Sequence, residues 1–428
     1  MKIVFSSLPG YGHIHPLLPL ALAAREVGHD VIYATGEAFH PLLQGLGFRT
    51  VPVGMPIHEA FGIVFAETDG KAGEPPRQDR LEPAARAFNE VLPRRLAADL
   101  LPVLRAEQPD LVVYEMLNPG AGLSAHLLDI PAVCHSNAQA EAVDAGDTDD
   151  ESFRRGNDRL ADRVSRIAAD PVLPWTLAAK WWRQRGVELI RSVAAEIGVE
   201  LPDGCYLLGD RYLDIYPTSL QETSFLARPE RSLLRPVAFC ESGELPEIVL
   251  AERKRPLVYL TLGTTVGTAP ALRAAIEGVS TLDIEVVVAA GPRIPLAEFG
   301  VLPGNVHLER WVPQADLLPH VDLVVHHGGS ATTLGAAGAG VPQLFLPIRF
   351  DGFRNAGAVS AVGAGRRLLP EEVEHADVRR VVSAAAIAEA ADRLLTDPGA
   401  GQAAKALAEE IAVMPSPTEV AARLSEFC

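Results

Sequence analysis

The chain opens with an apolar run rich in branched residues, Lys2–Ser7 (KIVFSS), a pattern that predicts a strand buried on both faces. The glycine-containing loop LPGYGHIHP leads into a helix expected over Pro16–Val27; Gly28 stops it, and DVIYAT is the next strand. Strand, loop, helix and strand form a βαβ unit with a right-handed crossover. The alternation continues with a helix over Glu90–Arg105, a strand at Asp110–Tyr114, a helix over Gly120–Leu128 and a strand at Ala132–His135. It weakens from Glu141 to Trp182. There an acidic loop, DAGDTDDE, precedes LPWTLAAKWW, which reads either as a helix covering the core or as a wall of an apolar pocket. A proline-rich connection follows, and the pattern restarts at Leu257 with PLVYLTLG, a helix over Pro270–Glu277, then the strands IEVVVAAG and NVHLER. The strand Asp322–Val325 opens onto a small-residue helix, and QLFLPI is the next strand. Helices are expected over Ala376–Leu395, Gln402–Ala412 and Thr418–Phe427. The expected fold is α/β, with two Rossmann-like, doubly wound parallel-sheet domains. Residues 1–225 form the first domain, 226–255 the linker and 256–412 the second domain, with 413–428 as a terminal helix.

Composition narrows the class of partner. The 428 residues suit two domains, and 38 basic against 55 acidic side chains give a net charge of −17. With no Lys/Arg tract, nucleic acid and anionic membranes are disfavoured as partners. Cys134, Cys205, Cys240 and Cys428 show no CxxC spacing, so neither a zinc site nor a disulfide framework is expected, and a reducing cytoplasm fits. The N-terminus lacks a signal-peptide pattern, and no stretch reaches the about 20 apolar residues that span a bilayer.

Chemistry concentrates at strand ends. His326-His327-Gly328-Gly329-Ser330, with Thr332, ends a strand and begins a helix, where free amides and the helix dipole suit an anion such as a diphosphate. Upstream, Trp311 in WVPQ offers an indole for stacking, and downstream Asp351 and Asn355 add polar groups. Gly263-Thr264-Thr265, after LVYLTL, is a further backbone-and-hydroxyl cradle. Together these residues suggest a nucleotide-sugar site. In the first half, Gly10-Tyr11-Gly12-His13-Ile14-His15 only superficially resembles a dinucleotide fingerprint. His15 replaces its third glycine, and Thr35 stands where an acidic residue would end the second strand. His13, at a strand's carboxyl end, is placed to act as a general base, and His15 as a structural residue. Glu115, on the same rim, is the carboxylate that would fix its tautomer; Tyr11 and His135 are candidate acceptor contacts. Asp147-Thr148-Asp149 spells DxD, but its acid-rich surroundings read as a solvated loop, and no metal is expected.

The GHxxP of the first half, WVPQ, HHGGSxTTL and GVPQLxLPxxxDxFxNA together resemble family 1 glycosyltransferases of GT-B fold, in particular those of actinobacterial antibiotic biosynthesis. YEMLNPGAGLSAHLLDIPAVCH, DIYPTSLQE and VYLTLGTTVG resemble more narrowly the enediyne (calicheamicin-type) rhamnosyltransferase branch. The resemblance implies two domains facing a cleft, the last helix returning to the first. It also implies an inverting, metal-independent transfer from a dTDP-sugar to a hydrophobic small-molecule acceptor. His13 matches the base; its partner, usually aspartate, is here Glu115, one methylene longer. Trp311 matches the base-stacking residue and Gln314 a nucleoside contact. His326, Gly328, Gly329, Ser330 and Thr332 match the diphosphate loop, with His327 the alternative should the register slip; Asp351 matches the sugar-hydroxyl ligand. Two departures bear on the donor. Leu334 stands where plant relatives carry a ribose-binding glutamate, and an unpaired 2′-hydroxyl there costs roughly 1–3 kcal/mol, which favours dTDP over UDP. Gly352 replaces the glutamine of an Asp-Gln pair, which points to a 6-deoxy or otherwise modified sugar. Two rival readings keep the donor site, a nucleotide-sugar epimerase and a non-catalytic sugar-nucleotide-binding partner. The sequence fixes neither the acceptor nor the oligomeric state, a homodimer being compatible.

Overall fold

The computed structural model describes residues 1–68, 81–140, 173–201, 209–239, 241, 243–264, 267–348, 351–369 and 382–428. The chain divides into two compact units. The first comprises Met1–Ile215, Thr223–Leu234 and Pro415–Cys428, the second Tyr216–Glu222 and Arg235–Met414.

The first unit is built on a seven-stranded parallel sheet of order β3-β2-β1-β4-β5-β6-β7. Its strands are β1 (Lys2–Ser6), β2 (Asp30–Thr35), β3 (Arg49–Pro52), β4 (Leu111–Glu115), β5 (Ala132–His135), β6 (Arg211–Asp214) and β7 (Arg231–Leu233). The apolar runs are long because both faces are covered. On one face Val4, Val112, Tyr114 and Cys134 pack with Leu96, Leu100 and Leu104 of helix Leu92–Glu107 and with Ala121 and Ala125 of helix Pro119–Leu127. The helix expected from Pro16 starts at Leu18 and ends at Glu26, and a separate helical turn, Tyr11–Ile14, precedes it. That turn carries His13 directly beyond β1. Helix Pro417–Ala422, opened by a Ser416–Glu419 capping box, packs beside Leu18–Glu26, and Ala421 O lies 3.1 Å from His29 Nε2.

The second unit has a six-stranded parallel sheet of order β10-β9-β8-β11-β12-β13. The strands are β8 (Leu257–Thr261), β9 (Glu285–Ala289), β10 (Val306–Glu309), β11 (Leu323–His326), β12 (Gln343–Phe345) and β13 (Gly365–Arg367). Alternation along them fills both faces. Val258, Leu260, Val286, Val288 and Val325 meet Leu272 and Ile276 of helix Ala269–Val279 and Ile387 of helix Ala384–Thr396. Leu257, Tyr259, Val287 and Val324 meet Leu317, Leu318 and Ala336 opposite. Each fully buried branched side chain contributes about 1.5–3 kcal/mol, so these cores can sustain strained loops at the strand ends.

In each sheet the order reverses beside the first strand of the unit: between β1 and β4, and between β8 and β11. Open parallel sheets bind ligands outside the carboxyl ends of such neighbouring strands. Asp147–Asp149, Thr265 and the expected start of the helix at Ala376 lie outside the described residues, as does most of Glu141–Trp182. Among the described residues no helix is long and apolar enough to cross a membrane, and no group of three or more His, Cys, Asp or Glu side chains gathers as for a metal ion.

Candidate active site

At the β1/β4 switch point His13 Nδ1 lies 3.0 Å from Glu115 Oε1. Glu115 is the last residue of β4, which runs one residue beyond the expected end at Tyr114, and its side chain is fully buried. Among the described residues four N–H groups aim at its two oxygens. Oε1 receives His13 Nδ1 and, at 3.3 Å, Leu8 N; Oε2 receives Leu117 N at 2.7 Å and Asn137 Nδ2 at 2.8 Å. A carboxylate accepts and cannot donate, so it selects the histidine tautomer with hydrogen on Nδ1 and leaves Nε2 with its lone pair. The His13 side chain keeps 15% exposure, enough for one edge to meet a substrate.

The surroundings of His13 are apolar. The helix after Leu81–Arg86 widens into a π-helical turn, Ala87–Val91, of the kind that recurs at functional sites. Phe88, on that turn, lies 6.5 Å from the His13 ring at 28°. Phe61 meets Phe88 edge-on at 6.0 Å, and Trp182 meets it at 6.4 Å. Met55, Ile57 and Leu117 complete a half-buried apolar patch. Tyr11 is 45% exposed and packs edge-on against His15 and Phe39. His135 ends its strand where the apolar pattern placed it. It sits within β5 beside Glu115, has no exposed surface, and burial pushes its imidazole down to about 4. An acceptor contact through His135 is corrected accordingly: a side chain sealed in the sheet has no surface to offer. Burial also lowers His15 to about 4.

The second switch point gathers the glycine loops. His326 ends β11 without exposed surface; its Nε2 meets Gln343 Oε1 at 3.0 Å and its Nδ1 accepts from Gly328 N at 3.2 Å. Burial, then the neighbouring His327, push it down to about 3. With one nitrogen used by Gln343 and the other by the Gly328 amide, His326 has none left for a ligand, which corrects its place in the expected diphosphate set. His327 is the outward member of the pair. Its imidazole lies between two backbone loops, because a Cβ added at Gly263 would come within 2.5 Å of His327 Cε1 and one at Gly329 within 2.7 Å of Nε2. Burial lowers its pKa, the Asp351 carboxylate partly offsets this, and among the described residues Nδ1 has no hydrogen-bond partner.

Helix Ser330–Gly338 starts at Gly329 without a side-chain cap. Its geometry leaves the Ala331 and Thr332 amides without intrahelical acceptors, the standard condition for holding an anion. The Ser330 amide and hydroxyl are already given to Asp351 Oδ2, at 3.2 and 2.6 Å. Asn355 Nδ2 donates to Gly328 O at 2.7 Å, while its Oδ1 accepts from Tyr216 OH at 3.0 Å, tying helix Asp351–Ala361 to the loop. Gly328 has φ +92°, and a Cβ there would meet Gly352 O at 2.6 Å; one at Gly352 would meet His327 O at 2.5 Å. Gly352 is therefore required by backbone packing, and its lack of an amide carries no information about the sugar.

Trp311 keeps 43% exposure, with the chain at Gly243 passing beneath the ring, where an added Cβ would lie 2.9 Å from Cζ3. Gln314 Oε1 accepts from Thr332 Oγ1 at 3.0 Å, linking the WVPQ turn to the glycine-loop helix. Thr264 is exposed at the end of the β8 loop. Leu334 is 4% exposed, and the helix position facing Gln314 is Gly335, whose added Cβ would lie 3.6 Å from Nε2. Neither position supplies a carboxylate for a ribose hydroxyl. The sequence pattern does not single out Asn137, Phe88, Gln343 or Tyr216. Only Asn137 carried a usable signal, a polar residue two places beyond a strand that neighbours β4.

Residues 273–427 match the family described as erythromycin biosynthesis protein CIII-like, C-terminal domain. The chain is 31% identical over 437 residues to the L-demethylnoviosyl transferase of Streptomyces niveus, covering 99% of this chain and 98% of that protein. It therefore belongs to the family 1 GT-B glycosyltransferases of actinobacterial natural-product biosynthesis. Among solved structures, the Streptomyces sp. SF2575 glycosyltransferase SsfS6, complexed with thymidine diphosphate, superposes with TM-score 0.72 at 24% identity, covering 100% of this chain and 99% of that one. The calicheamicin glycosyltransferase CalG4 gives 0.73 at 21% identity, covering 100% and 98%. At these identities they establish a shared GT-B fold, and the calicheamicin enzyme is one such neighbour among many.

Proposed function

We propose that this glycosyltransferase moves a deoxysugar, with inversion, from a dTDP-sugar to a hydroxyl of a hydrophobic natural product such as a polyketide, without a metal ion. The observation that carries the proposal is the 3.0 Å contact between His13 Nδ1 and Glu115 at a strand-order switch point, with an apolar aromatic patch beside it. His13 Nε2 takes the proton of the acceptor hydroxyl as its oxygen bonds to the anomeric carbon; the bond from that carbon to the diphosphate oxygen breaks, and dTDP departs. Glu115 stabilises the imidazolium that forms. Charge gathering on the leaving diphosphate is met by the Ala331 and Thr332 amides and by His327, whose unpartnered Nδ1 suits it better than the enclosed His326. Trp311 stacks on the base, Gln314 contacts the nucleoside, Asp351 holds sugar hydroxyls, and Gly263 and Thr264 border the diphosphate.

In this reading residues 1–225, with 413–428, serve the acceptor and residues 256–412 the donor. Preference for dTDP follows from the missing carboxylate at Leu334 and Gly335, and is supported by the thymidine diphosphate bound to SsfS6. The relative named for L-demethylnoviosyl transfer supports a deoxysugar-type donor. The decisive experiment offers the purified protein a panel of dTDP-deoxysugars, dTDP-L-rhamnose among them, and UDP-glucose, against polyketide, macrolide and enediyne aglycones. Mass spectrometry should find a glycosylated product that disappears in His13→Ala while dTDP binding persists. Full activity in His13→Ala would refute the mechanism, faster turnover of UDP-glucose the donor assignment, and an epimerised sugar nucleotide without glycoside the reaction class.

A further inference from the structure

We infer that Asn137 is a positioning residue of the acid–base pair, holding the Glu115 carboxylate so that Oε1 is presented to His13 Nδ1. The inference rests on the reading of His13 as the base. Asn137 stands two residues beyond β5, the strand whose last residue, His135, pairs with Glu115. Its Nδ2 is 2.8 Å from Glu115 Oε2 and 3.4 Å from His13 Nδ1, so one amide touches both members of the pair. The amide orientation is fixed by chemistry, because the reverse would set a carbonyl oxygen against a carboxylate oxygen.

The need for such a clamp follows from the glutamate itself. Its terminal torsion is broad and poorly determined by local sterics, and it has one more rotatable bond than aspartate. Oε1 is held by His13 and, at the longer distance of 3.3 Å, by Leu8 N, while Oε2 has Leu117 N and Asn137. Without Asn137 a single backbone amide anchors Oε2, and the carboxylate can turn so that Oε1 leaves the imidazole. Asn137 is only 7% exposed, and its Oδ1 is a buried acceptor with no partner among the described residues. A purely structural asparagine would be expected to satisfy both ends of its amide. Here the donor end alone is engaged, and it is engaged at the reacting pair.

The test uses the full chain with Asn137→Ala, Asn137→Ser, Glu115→Gln and His13→Ala. Long-range proton–nitrogen correlation on 15N-histidine protein reports the His13 tautomer, its signal being identified by its loss in His13→Ala. Transfer kinetics use the donor and aglycone found active in the panel, and thymidine diphosphate probes the donor half-site. Asn137→Ala should lower kcat by about 10- to 100-fold, the scale of a misplaced catalytic group. It should also deplete the Nδ1–H tautomer as Glu115→Gln does, and leave thymidine diphosphate affinity within twofold. Asn137→Ser, which keeps a donor, should recover part of both signals and serves as the reporting variant if the alanine protein does not fold. A wild-type tautomer in Asn137→Ala, whatever its kcat, overturns the inference. Activity retained in His13→Ala would instead overturn the base on which it rests.

Discussion

Gly263→Ala tests whether His327 is the histidine of the donor site. The added Cβ would lie 2.5 Å from His327 Cε1 and 3.0 Å from its Nε2. Carbon atoms pack at about 3.5–4.0 Å, so the imidazole must retreat by about 1 Å. A displacement of that size in a catalytic group can lower turnover by about 100-fold. The substitution also carries a backbone cost, since Gly263 has φ +75°. For an L-residue that conformation costs about 1–2 kcal/mol, or about 2–8 °C in Tm for a unit of this size. Gly28 supplies the control. It has φ +95° with nothing among the described residues within 4 Å of an added Cβ, so Gly28→Ala meets the same kind of strain without displacing a described neighbour. Both variants should melt a few degrees below wild type by calorimetry. Only Gly263→Ala should lose kcat and thymidine diphosphate affinity, the latter measured by titration calorimetry. If Gly263→Ala matches Gly28→Ala within twofold in both, the imidazole is not at the diphosphate and the assignment fails.

The remaining predictions separate binding, chemistry and stability. His327→Ala should remove most transfer with little loss of stability. His326→Ala should do the reverse, lowering Tm because it leaves Gln343 Oε1 and the Gly328 amide unpaired in a buried site; equal effects of the two on stability would contradict this division. Trp311→Ala should raise the donor KM by about 10-fold or more while changing kcat little, the stacking face being lost before the chemical step; an unchanged KM would place the base elsewhere. The fold should also weaken in mild acid. His15, His135 and His326 titrate at about 4, about 4 and about 3 in the folded chain. In the unfolded chain each takes its proton near pH 6.5. Stability is therefore complete above that value and is lost as pH falls toward 4, by about 2 kcal/mol for each imidazole at pH 5. Urea midpoints at pH 7.5 and 5.0 measure this, and a flat dependence would refute the burial argument.

The alternation of apolar runs and helical periods was enough to read two doubly wound sheets, because fully covered parallel strands write themselves as unbroken branched runs. Strand ends were read less well, and function depends on them. Both β4 and β11 run one residue further than their apolar patterns, ending at Glu115 and His326 where the runs suggested Tyr114 and Val325. A polar residue at the end of an apolar run looks like the first residue of the loop, yet it can belong to the sheet if a neighbour satisfies it. Four N–H donors do this for Glu115, and Gln343 with the Gly328 amide does it for His326. None of those partners is close in sequence except Leu117 and Gly328, so the pattern along the chain could not reveal them.

The histidine pair shows the consequence. Successive residues of a strand project to opposite sides, so a shift of one residue exchanges an enclosed side chain for an available one. The resemblance matches His326 to the diphosphate, with His327 the alternative should the register slip, and the difference is made by what each imidazole meets. His326 meets the Phe345 ring at 4.5 Å, tilted by 48°, and bonds to Gln343, both on β12, a strand whose register against β11 the sequence pattern does not show. His327 meets Gly263 from β8 and Gly329 from its own loop, and both positions must lack a Cβ for the ring to fit. Those glycines would otherwise read as generic turn residues. Their steric demand shows that the loops after β8 and β11 converge on one imidazole, at the switch point where an open sheet binds its ligand.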